Sequence, residues 1–279
     1  MTEKGVKLVA EHCLRLQELM LADCVSLDAT AVEGLAGPAF ENLVLLSVAG
    51  CYCVDDAALY SLAFGCPNVE ELDVSRCHDL TNAGLMPVFR SEPMWLKLKR
   101  VRAQQLTNLS ADAFRLPEHP QPPRSPRPPP VEAGECPGPQ QHAYSRIEAL
   151  DVAKCERLDD DAVLKIADLM GHCLVSISLA GCLNVSDTGV QVLTGNAPRL
   201  ARADFSECYL LTDQACGYFR MCGDMESVDL SYCVSVTDAG ITQLSEACSC
   251  LRHLGLAQCS SVTRRTVAAL RAKSINVIW

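Results

Sequence analysis

Short apolar pairs separated by one residue recur along the chain, and each pair is followed by a turn and a longer apolar segment. Leu19 and Leu21 form such a pair near the start, and Val228 and Leu230 form another near the end. Alternation with period 2 indicates a strand with one buried face, whereas spacing of three and four residues, as at Ile241 and Leu244, indicates a helix. The pattern predicts a repeated unit of strand, turn and helix.

One cysteine marks the same point of each unit. It recurs at Cys24, Cys51, Cys77, Cys155, Cys182, Cys208, Cys233 and Cys259, in steps of 27, 26, 78, 27, 26, 25 and 26 residues. Within the long step, Leu106 takes the cysteine's place in one divergent unit. The chain therefore reads as about nine strand-bearing repeats of ~26 residues with the consensus C-x-x-L-x-x-L-x-L-x-x-C-x-x-[LV]-[TSD]-[DNA]-x-[AG]-[VIL].

The cysteine and the residues after it have separate structural roles. A small buried thiol fits the corner after the strand and can donate a weak hydrogen bond to the neighbouring backbone. Four residues later a Thr or Ser stands where a helix N-cap belongs. These predicted caps are Thr81, Ser110, Ser186, Thr212, Thr237 and Thr263.

One such unit cannot bury its own faces, so stability must come from stacking neighbouring units. The sequence predicts a single α/β solenoid over residues 1–279, a right-handed horseshoe with parallel strands on the concave face and helices on the convex face. A doubly wound nucleotide-binding fold does not fit, because a period near 26 is short for a crossover helix and no glycine-rich phosphate loop follows a strand.

These repeats resemble the cysteine-containing leucine-rich repeats of F-box proteins, the substrate-recognition subunits of SCF ubiquitin ligases, and of the related mitotic-exit antagonists. The resemblance implies a leucine-rich-repeat protein that takes part in ubiquitin-dependent protein degradation. No F-box segment is visible, so contact with SKP1 and cullin would need a missing N-terminal module. The alternative is a non-catalytic scaffold subunit of a cytoskeletal or axonemal assembly.

A proline-rich insertion interrupts the fourth strand-bearing repeat at residues 117–143. Its prolines cannot form a regular helix or donate to a sheet, so it is expected to be a disordered surface loop. One interpretation is a docking site for a proline-binding module, or a phosphorylation switch at Ser125. A tolerated surface insertion is the favoured interpretation.

The two ends differ in how they fit the repeat. Thr2 to Leu8 match a segment that follows a strand, so the chain begins inside a repeat; it is then a fragment, or another subunit covers that end. At the other end Ile275 to Trp279 are expected to add a last strand, with Trp279 closing the core.

Charge and composition narrow the partners. The net charge of -10 argues against nucleic acid as a partner. No apolar run approaches the roughly 20 residues of a membrane span, and no signal peptide is visible, so we expect a cytoplasmic protein, with nuclear or cytoskeletal placement also open. The 17 cysteines are then expected to be reduced.

No catalytic, cofactor or metal site is expected. The pairs His12-Cys13 and His172-Cys173 lie at equivalent helix ends, which favours a structural role over a hydrolase. Cys51-Tyr52-Cys53 and Cys248-Ser249-Cys250 are too closely spaced for a zinc knuckle.

The candidate site is therefore the solvent-facing side of the strands, which should bind a partner protein. Between the apolar strand positions stand Met20, Ser47, Asp73, Arg102, Asp151, Ser178, Asp204, Asp229 and Gly255, and just beyond them Asp23, Arg76, Gln105, Lys154, Glu207, Tyr232 and Gln258. Resemblance to the ligase adaptors implies recognition of a basic or mixed-charge segment, with Tyr232 as a hot spot. Alternatively, the aspartates merely keep the exposed strands soluble.

Overall fold

Ten three-residue strands form one parallel sheet, and each strand pairs with the next one in the chain. The computed structural model describes residues 3–24, 27, 29–35, 40–90, 97–116 and 145–279. The strands are β1 Glu18–Met20, β2 Leu45–Ser47, β3 Glu71–Asp73, β4 Arg100–Arg102, β5 Ala149–Asp151, β6 Ser176–Ser178, β7 Arg202–Asp204, β8 Ser227–Asp229, β9 His253–Gly255 and β10 Asn276–Ile278.

The strands form where the alternating pattern predicted them. The middle residue of every strand is buried, from Leu19 in β1 to Val277 in β10. The second apolar position of the consensus follows directly after the strand and is buried too, as at Leu21 and Leu230. Because one face of the sheet takes all these side chains, the last residue of each strand faces the other side. All of these last residues except Ser47 and Gly255 are at least partly exposed.

Neighbouring helices pack on one another, and their buried side chains share one core with the inward-facing residues of the strands. They are α1 Glu3–His12, α2 Ala29–Leu35, α3 Asp56–Gly65, α4 Asn82–Phe89, α5 Asp160–Met170, α6 Asp187–Asn196, α7 Asp213–Tyr218, α8 Asp238–Ala247 and α9 Arg264–Ala272. Short 3-10 helices cover Ala111–Phe114 and Phe219–Met221. The architecture is the predicted leucine-rich-repeat horseshoe.

Most of the predicted N-caps act as caps. The hydroxyls of Thr81, Ser186, Thr212 and Thr237 accept a hydrogen bond from the backbone N–H two residues later. Ser110 and Thr263 occupy the cap position without such a bond.

A second set of bonds at the caps ties neighbouring repeats together. The first helical residue is an aspartate in several repeats, and its carboxylate accepts from the next cap. Thr237 donates its backbone N–H to Asp213 Oδ1 at 2.7 Å and its hydroxyl to Oδ2 at 2.6 Å. The same pair of bonds joins Thr81 to Asp56, Ser186 to Asp160, Thr212 to Asp187 and Thr263 to Asp238.

The divergent fourth strand-bearing repeat departs from this arrangement. Its helix is the single 3-10 turn Ala111–Phe114, and Ala111 provides no carboxylate at the linking position. Phe114 compensates by stacking on Phe89 with ring centroids 4.5 Å apart. The insertion at 117–143, including Ser125, lies outside the described residues.

The expectation that Trp279 closes the core is wrong. The last strand does form, as β10, and pairs with β9. Its alternation places Val277 inward at 5% exposure, while Trp279 stands beyond the strand at 46% exposure. Val277 and Ile275 therefore close the core at this end.

Candidate protein-binding face

The last residue of each strand points to the open side of the sheet, and we call this set the strand-end row. Adjacent strands hold these residues in register, so that Asp73 lies beside Arg102 and Arg102 beside Asp151. Asp204 and Asp229 are likewise direct neighbours. Of the predicted site residues, this row contains Met20, Asp73, Arg102, Asp151, Asp204 and Asp229.

The four aspartates of the strand-end row also close the turn that follows each strand. Asp229 Oδ1 accepts the backbone N–H of Ser231 at 2.8 Å, and Asp204 Oδ1 accepts that of Ser206 at 3.0 Å. Asp73 and Asp151 make the same bond two residues ahead. The acidic row thus has a structural role that sequence reasoning missed, and the motif Asp-x-Ser or Asp-x-Ala after an apolar residue was its signal.

Arg102, on β4, lines one side of a cavity on the open face that extends from β1 to β4. The cavity has a volume of about 290 Å³ and includes Met20, Leu45, Leu72 and Asp73 in its wall. Met20 is 67% exposed. Within the described parts of the chain, no hydrogen bond or ion pair fixes the Arg102 guanidinium, so its charge is available to a ligand.

The remaining predicted residues lie in the turn and not in the strands. Asp23, Arg76, Gln105, Lys154, Glu207, Tyr232 and Gln258 each precede the repeated cysteine, or Leu106 in its place, and all have positive φ between 55° and 65°. We call this set the left-handed row. Non-glycine residues adopt this conformation at a cost, so the turn must be held by its neighbours. The backbone N–H of Tyr232, for example, donates to Ala257 O at 2.7 Å.

Gly50 and Gly181 occupy the same position in two further repeats, with φ of 69° and 67°. Side chains from the preceding repeat lie over them: a Cβ on Gly50 would come within 2.3 Å of Asp23 Oδ1, and one on Gly181 within 3.0 Å of Lys154 Cγ. Each glycine therefore leaves room for a side chain to cross a whole repeat. These two glycines were the sequence signal for the left-handed turn.

The crossing side chains form ion pairs between predicted site residues. Asp23 reaches over Gly50 to Arg76, with the Oδ1 to guanidinium distance at 3.0 Å. Lys154 reaches over Gly181 to Glu207, with Nζ 3.8 Å from Oε1. Four of the predicted residues thus neutralise one another in pairs.

Sequence reasoning also missed the first residue of each strand, which faces the same side as the last. Glu71 and Arg100 form an ion pair there, and Arg202 lies 3.9 Å from Glu226. Period 2 alone would have identified this third row, because it stands two residues before the strand-end row.

The repeated cysteines other than the half-buried Cys24 are buried and structural. The thiol of Cys208 donates to Leu179 O of the preceding repeat at 3.2 Å, and that of Cys259 to Leu230 O at 3.1 Å. Cys51, Cys77, Cys155, Cys182 and Cys233 make the equivalent bond, as predicted. Burial raises the pKa of the Cys155 and Cys182 thiols to about 12, which keeps them protonated and unreactive.

Other chemistry is sparse in the part of the chain that the structure describes. Every cysteine there has a free thiol, and no group of three or more His, Cys, Asp or Glu side chains could hold a metal ion. No described helix has the length and apolar character needed to cross a membrane.

Comparisons with known proteins identify the repeat and the fold. A leucine-rich-repeat family model matches residues 65–89. Lysine-specific demethylase 2B of Mus musculus is 32% identical over 74 residues, a match that covers 25% of this chain and 6% of that protein. The chain thus spans a small part of this curated relative.

Two solved structures match most of the chain, and one of them has a TM-score above 0.5. The leucine-rich-repeat-containing protein LegL7 of Legionella pneumophila has a TM-score of 0.55 and 13% identity, with 94% of this chain and 81% of that one covered. The yeast complex of Rad7 and Elc1 has a TM-score of 0.49 and 14% identity, covering 100% of this chain and 84% of that one. The chain therefore has the fold of a leucine-rich-repeat solenoid, and the family model identifies a leucine-rich repeat at residues 65–89.

Proposed function

We propose that the open, concave face of the sheet binds a segment of a partner protein. The observation that carries this proposal is the continuous strand-end row across ten strands, with the helices all packed on the other side. Solenoids of this kind use such extended concave surfaces for binding. The side chains of the row are not needed for the core, which makes them free to vary with the partner.

The charges on the face favour a partner segment of basic or mixed charge. Asp73, Asp151, Asp204 and Asp229 form no ion pair with another described residue, and Asp204 and Asp229 have no cationic neighbour in the strand-end row. Arg102 adds one positive charge among them and can take an acidic side chain of the same segment. Tyr232 at the edge is half exposed and can anchor an apolar group.

The proposed biological role is substrate recognition for an SCF-type ubiquitin ligase. Its support is the resemblance of the cysteine-marked repeats to those of F-box proteins, with SKP1 and cullin as the partners implied. The competing role is a scaffold subunit without ligase partners. In both roles the chain acts by binding and provides no catalytic group.

Affinity purification of the tagged protein from its native cells, followed by mass spectrometry, tests the ligase role. Stoichiometric SKP1 and cullin would support it. A stable set of structural proteins without SKP1 and cullin would contradict it and favour the scaffold. Repeating the purification with Asp151→Asn and Asp229→Asn together tests the face itself, since the partner should be lost if the strand-end row binds it. A matched control is Asp161→Asn with Asp224→Asn, two exposed carboxylates outside the face.

A further inference from the structure

Large apolar side chains cluster on the turns of three consecutive repeats, at the edge of the sheet where the strands end. Tyr209 is 47% exposed, Leu210 52% and Tyr232 45%. Leu183 is 44% exposed and Val234 47%. We call these five residues the apolar rim patch.

The patch is continuous because the turns stack in register. Leu183, Tyr209 and Val234 each directly follow the repeated cysteine of their own repeat. Parallel bridges join Ser186 to Leu210 and Thr212 to Ser235, so the turn of each repeat runs beside the turn of the next. Neighbouring parallel segments lie about 5 Å apart. Their side chains therefore form one surface.

Polar residues bound the patch on both sides. The residue after the repeated cysteine is Glu156 in the repeat before it and Ser260 in the repeat after it. Elsewhere the same position holds the exposed Tyr52 and also His78, which stack on each other. An apolar patch with a polar rim is typical of an interaction site.

Two uncompensated carboxylates lie on the strands that lead into the patch. Asp204 and Asp229 face each other in register on β7 and β8. Like charges directly opposite on adjacent strands are destabilising. Lys154 follows β5 and extends toward this edge, where it forms an ion pair with Glu207. Among residues of known placement no cation reaches either aspartate, so a positive group from outside would relieve the repulsion.

We propose that the apolar rim patch and the Asp204–Asp229 pair together dock a protein segment that carries a Lys or Arg next to bulky apolar side chains. The cation lies between the two carboxylates, and the apolar side chains cover Tyr209, Tyr232 and their neighbours. The carboxylates disfavour an anionic membrane surface as the occupant. The inference rests on the proposed function and narrows it to β6–β8 and their turns.

Selection of random peptides displayed on phage against the full chain provides the probe. We expect enrichment of peptides with Lys or Arg beside aromatic or aliphatic residues. The affinity of the most enriched peptide is then measured by fluorescence anisotropy for two variants, Leu183→Ser with Tyr209→Ser, and Asp204→Asn with Asp229→Asn. Each should raise Kd by about tenfold or more.

Controls of the same chemistry lie away from the apolar rim patch and the strand-end row. Tyr52→Ser removes an exposed aromatic side chain that follows Cys51, and Asp224→Asn removes an exposed carboxylate outside the face. Both should leave Kd unchanged. The Asp→Asn variants keep the turn-closing carbonyl oxygen, so they test binding even if the Leu183→Ser, Tyr209→Ser variant fails to fold.

The possible results separate this inference from the broader proposal. Loss of affinity in both rim variants but in neither control supports the inference. If Asp73→Asn or Arg102→Ser weakens peptide binding and the rim variants do not, the inference about the apolar rim patch is wrong and the concave-face proposal stands. Enrichment of acidic peptides, or of none above an unrelated folded protein, also overturns the inference. If none of these variants changes the affinity for the peptide, both proposals are wrong.

Discussion

Replacing Asp229 by alanine and by asparagine separates the two roles of this carboxylate. Alanine removes the acceptor of the 2.8 Å bond from Ser231 N–H, whereas asparagine retains an oxygen in its place. Both replacements remove the negative charge that faces Asp204 across the strand pair. The two variants therefore differ in the turn bond and agree in the charge.

The expected magnitudes follow from these contacts. A hydrogen bond to a charged acceptor contributes about 1.5–3 kcal/mol, and Asp229 is half-buried, so the lower end applies. Relief of the repulsion from Asp204 returns roughly 0.2–1 kcal/mol. We expect Asp229→Ala to lower the free energy of unfolding by about 1 kcal/mol, and Asp229→Asn to change it by less than about 0.5 kcal/mol.

Urea denaturation followed by circular dichroism measures both values, with Asp224→Asn as a control for charge at an exposed position. If asparagine destabilises the protein as much as alanine does, the charge stabilises the fold and the turn argument fails. If alanine is neutral, the turn does not need the carboxylate. With Asp229→Asn stable, any loss of partner binding by that variant reports on recognition alone.

Three further predictions concern the links between repeats. Asp213→Ala removes both hydrogen bonds from Thr237 and should lower the free energy of unfolding, measured by urea denaturation, by about 2 kcal/mol. A loss below about 0.5 kcal/mol would show that this link between caps does not stabilise the protein. Gly181→Ala places a Cβ at positive φ against Lys154 and should lower the free energy of unfolding by about 1 kcal/mol in the same assay. The control Gly223→Ala, which has open space around it, should leave the stability unchanged. Equal effects of the two substitutions would contradict the left-handed turn argument. Iodoacetamide at pH 8 should alkylate the exposed Cys13 and Cys250 quickly. Cys155 and Cys182 should remain unmodified until the protein unfolds, because burial raises the pKa of their thiols to about 12. Rapid labelling of these two cysteines in the native protein, detected by mass spectrometry, would contradict the packing.

One carboxylate of the links between helix caps also provides a pH test. The backbone N–H of Thr263 donates a hydrogen bond to Asp238 and holds the pKa of that carboxyl below its ordinary value near 3.8. A depressed pKa in the folded state stabilises the protein above the unfolded pKa, and this stabilisation is lost as pH falls through the folded pKa. The stability difference between the native protein and Asp238→Asn should therefore shrink between pH 6 and pH 3. A constant difference would show that the bond does not favour the ionised form.

The fold could be predicted because each repeat restates the same local pattern. A misread strand or cap in one unit is corrected by the others, as the divergent repeat around Leu106 illustrates. Trp279 was misjudged because it stands beyond the strand, whose alternation places Val277 inward instead.

The sequence was sufficient to predict which face of the sheet holds the candidate site, but not what each side chain on that face does. Side-chain direction follows from period 2, so the strand-end row was accessible from the sequence. The ion pair between Asp23 and Arg76 was not, because it spans two repeats and depends on the missing side chain of Gly50. The turn-closing role of Asp229 depends on backbone geometry after the strand, which the apolar pattern does not report.

Site-specific photo-crosslinking in native cells tests the central claim most directly, namely that the open face of the sheet and its rim bind a partner protein. A photoreactive amino acid replaces Arg102, Asp151 or Tyr232 in one set of variants, and the exposed helix residues Tyr60 or Leu164 in the other. We expect one discrete protein adduct from the first set and none from the second. The same adduct from the helix residues, with none from the sheet and rim residues, would contradict the proposed binding face.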